Sequence, residues 1–424
     1  MARFRMLTYV AAALGLTAAV WSPALAKPQG PSVLVVGVDH VDLANQRPDQ
    51  HRVFEYTDFF ARSVTVHRHE VIDFRVAPGA FHVVGVAKEQ EVARKVYPIA
   101  TLDTNDANAI GSGDPKIKLG PSNFFIIGGS THGGGNIGTD PSGNTPPPCG
   151  LTAMGEKPCE FKGGDDIEVA GPLAGFAPPS DNGPPAPAPV DWSIEIDAAP
   201  GSYDFLCFIH PGMQGSVNVV DSDDRVTTQA ENDARGAAQF AHDQAEALAA
   251  EAAANTVRFS GDAPGRRTYD VDVSTGVPDL HAVVLEMLPQ HLDLKDGDRV
   301  QYHWAAPNEV HTVGFPADDP RLPPPFGFDC GGTGFQAPGA GPPCLEPGHT
   351  TPELVGDPGN APSGTLLTSP TALVDSGLLA GRGYDLEPTR QTWSVRTNRA
   401  TANGTYEYQC TVHDFMHGTL SISH

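Results

Sequence analysis

Two short stretches of the chain share one pattern of reactive side chains. Residues Cys207-Phe208-Ile209-His210-Pro211-Gly212-Met213 and Cys410-Thr411-Val412-His413-Asp414-Phe415-Met416 both read C-x-x-H-x-x-M. A thiolate, an imidazole and a thioether on one tight loop are three of the four donors of an electron-transfer copper site. Such a site has a trigonal plane of two histidines and one cysteine, with a weak axial methionine. Its remaining histidine comes from a neighbouring strand. Chance explains the pair poorly, because the chain has only six cysteines and six methionines and the loops use two of each. Val71 to His82 spans 11 positions, as does Val300 to His311, so an upstream histidine stands at matching register in each half. The candidate ligands are therefore His82, Cys207, His210 and Met213 for one copper, and His311, Cys410, His413 and Met416 for a second. A buried cysteine beside a satisfied histidine would account for one isolated loop, but poorly for two. Zinc is a weaker rival, since it prefers several cysteines or histidines to a thioether.

The elements that must position these donors repeat once. Trp192-Ser193-Ile194-Glu195-Ile196 matches Trp393-Ser394-Val395-Arg396-Thr397, and each leads to a turn, Pro200-Gly201 or Asn403-Gly404. An alternating strand follows. Tyr203, Phe205 and Cys207 fall on one face, as do Tyr406, Tyr408 and Cys410. Another short strand follows each motif, at 216–220 and 419–423. Upstream, 71–84 and 300–313 each read as strand, turn, histidine, strand. Short strands with Gly/Pro punctuation make this an all-β chain of two sandwich or barrel units. The expected organisation is a signal peptide at 1–26, a first β-domain at 31–222, a helical linker at 227–255 and a second β-domain at 256–424.

The linker stands out in composition. Of the 27 residues from Thr228 to Ala254, 12 are alanine and none is proline. Thr228 with Glu231 makes a capping box, and Asn255 a stop. Ala230, Ala234, Ala237, Ala241, Ala245 and Leu248 form an apolar stripe expected to rest on one domain. Each half also carries a long Gly/Pro-rich insertion, at about 88–190 and about 317–390. The four cysteines outside the motifs fall in these insertions. Local disulfides, Cys149 with Cys159 and Cys330 with Cys344, are favoured because they recur at matching places; sequence alone allows other pairings.

Arg3 and Arg5, an apolar run from Leu7 to Val20 and Ala24-Leu25-Ala26 spell a secretory signal peptide cleaved near Ala26. The apolar run is too short to span a membrane, and no later stretch reaches 18 apolar residues. The mature protein is expected in the periplasm or secreted, where disulfides persist. The net charge is -24, and removing the signal peptide makes it more acidic. Such a chain repels nucleic acid and anionic membranes, and can steer a basic protein partner.

The segment Tyr406-Glu407-Tyr408-Gln409-Cys410 through Gly418 closely resembles the ligand loop of amicyanin, and Tyr203 through Gly215 is a looser match. Pro78-Gly79-Ala80-Phe81-His82 and Asn308-Glu309-Val310-His311 resemble the segment carrying the first histidine of that family. The chain thus resembles two tandem cupredoxin domains of the plastocyanin and amicyanin family. The resemblance implies Greek-key β-sandwiches, one type 1 blue copper per domain, and electron transfer with redox proteins, cytochrome-like ones among them. It also implies that His210 and His413 open to the surface as the points where electrons leave. Two other functions stay open. A copper oxidase or nitrite reductase would use an additional interdomain copper, but those enzymes place a histidine just before the copper cysteine, where this chain has Leu206 and Gln409. A non-redox copper buffer or cell-surface module is the third. His67-Arg68-His69 reads as a surface turn, and His132 and His349 lie in the insertions.

Overall fold

Alternation along the strands decides which side chains meet. In Gly201–Cys207, Tyr203, Phe205 and Cys207 all point into the interior. In Gly404–Gln409, Tyr406 and Tyr408 do the same, and Cys410 just beyond is fully buried. Period 2 puts every second residue on the core face, where each large apolar side chain contributes about 1.5–3 kcal/mol. The computed structural model describes residues 32–45, 53–77, 80–89, 149–150, 157–164, 167–174, 191–207, 210, 212–306, 309–322, 361–380, 390–413 and 415–424, together with Gly359 and short strand pieces at 102–103, 117–118, 326–329, 335–336 and 353–356.

The N-terminal half is a sandwich of two five-stranded sheets. One runs Phe59–Phe60, Val33–Val38, Val71–Val76, Asp191–Ile196, Cys159–Phe161; the other runs Ile167–Ala174, Phe81–Ala87, Gly201–Cys207, Gln214–Val220, Ser63–His67. They close on a core that includes Val36, Phe59, Phe74, Trp192 and Phe205. The C-terminal half repeats the order. Thr268–Gly276, Arg299–Trp304 and Thr392–Arg396 neighbour one another in one sheet, and His291–Leu294, His417–Ile422, Gly404–Gln409 and Gly314–Phe315 in the other. Trp192 sits opposite Phe74 with ring centroids 5.8 Å apart, and Trp393 opposite Tyr302 at 5.7 Å. Tyr203 and Tyr406 each donate a 2.8 Å hydrogen bond to the backbone four residues earlier. Among the described residues the chain is thus all-β in two sandwiches with a single long helix, as the sequence leads one to expect.

The helix α1, Gln229–Ala254, begins with the capping box of Thr228 and Glu231 and stops at Asn255. Its docking face differs from the expected alanine stripe. Ala230, Ala234, Ala237, Ala241, Ala245 and Leu248 are exposed, while Asn232, Gly236, Asp243, Ala247 and Ala254 are buried. Much of the seat is polar. Asn232 Nδ2 and Gln229 Nε2 donate to the Val35 carbonyl at 2.7 and 3.1 Å, and Gln239 Nε2 donates to the Phe59 carbonyl at 3.0 Å. Gly236 lies flat on Phe60, where a Cβ would come within 3.2 Å of the Phe60 Cβ. Hydropathy could not reveal a seat built largely from amides and one glycine.

A second departure ties the halves together. Phe54–Glu55, from the N-terminal half, pairs antiparallel with Val283–Leu288 at the edge of the C-terminal sheet. Around that strand, Val53, Phe54, Tyr56 and Phe60 join Ala247 and Ala254 of α1 and Val277, Ala282, Val284 and Leu288 in a third core. Cys149 and Cys159 form a disulfide with Cα atoms 4.9 Å apart, and the Trp192 indole donates to Cys159 Sγ at 3.3 Å. The Cys330–Cys344 pairing, the signal peptide, His132, His349 and most of both insertions lie outside the described residues. No described helix is long and apolar enough to cross a membrane.

Candidate metal centres

Cys207 ends its strand directly opposite Val84 of Phe81–Ala87. His82 lies two positions before Val84, so period 2 turns it to the same side as the thiol. The loop then folds back: the Cys207 amide donates to the Met213 carbonyl at 3.0 Å, and the Met213 amide to the His210 carbonyl at 3.2 Å. The other loop repeats both bonds, Cys410 to Met416 at 3.0 Å and Met416 to His413 at 2.9 Å. His311 is held by a bridge in which its amide and carbonyl both bond Leu379, at 3.0 and 2.6 Å.

Both loops bring their donors together. In the first centre Cys207 Sγ lies 3.6 Å from His82 Nδ1 and 3.5 Å from His210 Nδ1, and the two nitrogens are 3.0 Å apart. In the second, Cys410 Sγ lies 3.8 Å from His311 Nδ1 and 4.0 Å from His413 Nδ1. Met213 and Met416 are buried in the same cores as their cysteines. A metal about 2.0 Å from nitrogen and about 2.3 Å from sulfur sets trigonal N···S separations near ~3.7 Å. The two centres bracket that spacing, and two imidazoles with a thiolate form the trigonal set copper takes in blue sites. The donor chemistry therefore fits one copper ion at each centre.

The opposite ring nitrogens meet carboxylates that no sequence motif singles out. His82 Nε2 is 3.5 Å from Asp39 Oδ2 and 3.6 Å from Glu55 Oε1. His210 Nε2 is 3.7 Å from Glu55 Oε1 and 2.7 Å from Glu309 Oε1, a close ion-pair contact without the alignment of a hydrogen bond. Glu309 Oε2 lies 3.8 Å from His413 Nε2. All three carboxylates are buried. Such outer partners fix ring orientation and raise ligand basicity. Glu55 belongs to the strand that crosses between halves, and Glu309 belongs to the other half. Neither carried a motif, and Ala80 stands where Glu309 would have an equivalent in the first half.

The expectation that His210 and His413 open to the surface fails at His210, whereas His413 keeps 15 % of its side chain exposed. His210 is 5 % exposed, and its ring faces Glu309 across the joint between halves. His413 faces the same carboxylate. Gly212, at φ +91°, leaves room for Leu280 of the C-terminal half, whose side chain would lie 2.7 Å from a Cβ there. His67 and His69 sit at a turn, with His67 Nε2 bonded to the Asp224 carbonyl at 2.9 Å. Leu206 is buried, and Gln409 accepts from the Asp318 amide.

The electrostatics of the two centres diverge. Burial opposes charge on Cys207, but the His210 and His82 imidazoles overcome it and hold the thiol well below its ordinary range. Burial likewise opposes protonation of His82 and His210. Asp39 and the thiolate reverse this at His82, raising it to about 9; Glu309 and the thiolate raise His210 well above its usual value. At the second centre burial pushes the Cys410 thiol up. Burial and the facing His413 drive His311 down to about 3. For Glu309, burial would raise the carboxyl, but His210 and then His413 hold it at about 2.

No protein-family model and no curated protein match the sequence. Among solved structures, reduced auracyanin from the photosynthetic bacterium Roseiflexus castenholzii aligns over 45 % of this chain and 99 % of its own, at 14 % identity and TM-score 0.18. A single-site mutant of amicyanin in its Cu(I) form aligns over 39 % of this chain and 98 % of its own, at 15 % identity and TM-score 0.16. The copper-containing nitrite reductase of Thermus scotoductus aligns over 93 % of this chain and 68 % of its own, at 10 % identity and TM-score 0.17. With TM-scores this low, none of them bears on what this chain does.

Proposed function

We propose that this chain is an exported electron-transfer protein with one type 1 copper in each half, in domains spanning 31–222 and 256–424. His82, Cys207, His210 and Met213 would hold one copper, and His311, Cys410, His413 and Met416 the other. The observation that carries this reading is the twofold occurrence, at matching strand positions, of two imidazole Nδ1 atoms about a buried thiol. Bound copper supplies one-electron chemistry between Cu(I) and Cu(II). The protein's part is to keep the donors fixed: strand pairing holds His82, two backbone bonds close each loop, and buried carboxylates orient the rings. The acidic surface suits a basic redox partner, cytochrome-like in charge.

The test is to load the full chain with copper, count the metal, and record visible and spin-resonance spectra. Two coppers and an intense thiolate-to-copper band are expected. Cys207→Ser and Cys410→Ser should each remove one copper and the matching part of the band, and together all of it. A copper-loaded protein without the band would overturn the reading. A copper oxidoreductase is the second reading. Asp39, Glu55 and Glu309 stand beside His82 and His210, and two of the resulting His/carboxylate groups keep their donor atoms within 4.8 Å of one another. A third copper with a type 2 spin-resonance signal, plus turnover of oxygen or nitrite, would favour it.

A further inference from the structure

One carboxylate touches both centres. Glu309 is buried, at 6 % exposure. Its Oε1 lies 2.7 Å from His210 Nε2 of one half and its Oε2 3.8 Å from His413 Nε2 of the other. In each histidine the remaining nitrogen, Nδ1, faces the thiol of its own loop. The chain of groups is therefore thiol, imidazole, carboxylate, imidazole, thiol, and it crosses the joint between the sandwiches through a single side chain. The joint itself is built rather than incidental. Phe54–Glu55 is a strand of the opposite sheet, Leu280 caps the Gly212 turn, and the Thr57 hydroxyl donates to the Leu280 carbonyl at 2.8 Å.

We propose that Glu309 is a positioning residue shared by the two metal-binding loops, and that it makes the redox equilibrium of each centre depend on the state of the other. This rests on the reading of both loops as copper sites. The physical reason is that this carboxylate does not approach the two imidazoles equally. It lies 1.1 Å nearer His210 than His413, taking the two distances above. A centre that has lost an electron carries one more positive charge, and the carboxylate stabilises it more the closer it lies. Leaning toward one ring withdraws that stabilisation from the other. Removing an electron from one centre therefore makes removal from the second harder, and by linkage the effect is reciprocal. Each event transfers one electron to a one-electron oxidant such as ferricyanide, which is reduced in turn. No proton or bond change is involved.

The experiment is a redox titration of the copper-loaded full chain, followed by visible absorbance and spin resonance, for the wild type, Glu309→Gln and Glu309→Asp. Each is also made in the Cys207→Ser and Cys410→Ser backgrounds, which leave one centre at a time. In the wild type the two one-electron steps should lie further apart than the single-centre proteins predict, by a factor of about 5 to 150 in the equilibrium constant. Glu309→Gln, which keeps the shape and removes the charge, should abolish this excess and alter the spin-resonance parameters of both centres. Glu309→Asp keeps the charge on a shorter stem that reaches one ring, so it should lose the excess while leaving one centre's signature nearly unchanged. It also guards against a Gln variant that does not fold. Steps that match the single-centre values in the wild type would overturn the proposal, as would a Glu309→Gln effect confined to one centre. Both results presuppose two coppers and the thiolate band, so they are distinct from a failure of the copper reading, which would show as absent colour in the wild type.

Discussion

Gly212 in one loop occupies the place that Phe415 occupies in the other. The same C-x-x-H-x-x-M frame is thus closed in two ways. Around His210 the missing side chain admits Leu280 from the C-terminal half. Around His413 the loop supplies its own cover, with the Phe415 ring centroid 6.0 Å from the imidazole. Val83 and Thr312, each just after the upstream histidine, differ too. So do Ala80 and Glu309, two positions before it. The first centre is finished by its neighbour and the second largely by itself. A duplicated motif fixes which atoms meet the metal, and the unduplicated residues around it decide what else the centre responds to.

Filling the gap at Gly212 should break this contrast most severely. Gly212→Ala places a methyl 2.7 Å from Leu280 Cδ1 at a backbone angle of φ +91° that alanine adopts poorly. Overpacking costs about 1–3 kcal/mol, and part of that should appear as looser attachment of the two halves. The loss should show in thermal unfolding, with copper released from the first centre before the second. Phe415→Ala should instead uncover His413 and leave the first centre's spectrum intact. Equal disturbance of both centres by each variant would mean that closure is not divided in this way.

Much of this architecture could be read before any coordinates. Strand alternation at Tyr203, Phe205 and Cys207, the matching tryptophans and the capping box of Thr228 all act locally, over two to four residues, and local rules suffice for them. The clusters of His82, Cys207 and His210 and of His311, Cys410 and His413 were legible because the loop spacing and the repeated upstream histidine set them out in parallel. Glu55, Glu309, Asp39 and Leu280 were not legible, because each matters only through a contact with a distant segment. The seat of α1 was misread because it is lined by Asn232, Gly236, Gln239 and Asp243, which hydropathy counts as outward-facing. The burial of His210 depends on the joint between halves, and a resemblance to single-domain proteins carries no information about a joint.

The joint should also give a graded response to pH. Asp58 of the N-terminal half accepts from Arg62 Nε at 2.6 Å, Gln239 Nε2 at 2.8 Å and the Phe59 amide at 2.8 Å. Arg62 also binds Asp243 of α1 at 3.1 Å, and His281 of the C-terminal half lies 3.7 Å from Asp58. Burial raises the Asp58 carboxyl to about 8; Arg62 opposes the rise and Asp243 adds to it. Between about pH 4, where the unfolded group ionises, and about pH 8, the folded chain keeps a proton that the unfolded chain has lost. Stability from this group is therefore present at low pH and declines as pH rises through that window, then levels off. Asp58→Asn cannot ionise and should lack this decline. Denaturant unfolding of both proteins at pH 5, 7 and 9 measures it, and parallel profiles would remove Asp58 from the account.

The finest difference between the centres concerns the sulfur itself. The Thr312 amide donates to Cys410 Sγ at 3.4 Å, and its hydroxyl lies 3.9 Å from the same atom. That hydroxyl also accepts from the Thr411 amide at 2.7 Å and pairs with the Thr411 hydroxyl at 2.9 Å, which pins it beside the thiol. Val83 offers no hydroxyl at the matching place. Donors aimed at a copper-bound sulfur draw charge from it and favour the reduced state, and they are one of the levers by which such sites are tuned. Thr312→Val should therefore lower the potential of the second centre. A hydrogen bond of about 0.5–1.5 kcal/mol corresponds to roughly 20–60 mV for one electron. Val83→Thr should move the first centre the opposite way by no more than that. Measured in single-centre backgrounds, an unchanged potential in both variants would place the difference between the two centres in their carboxylates and not at the sulfur.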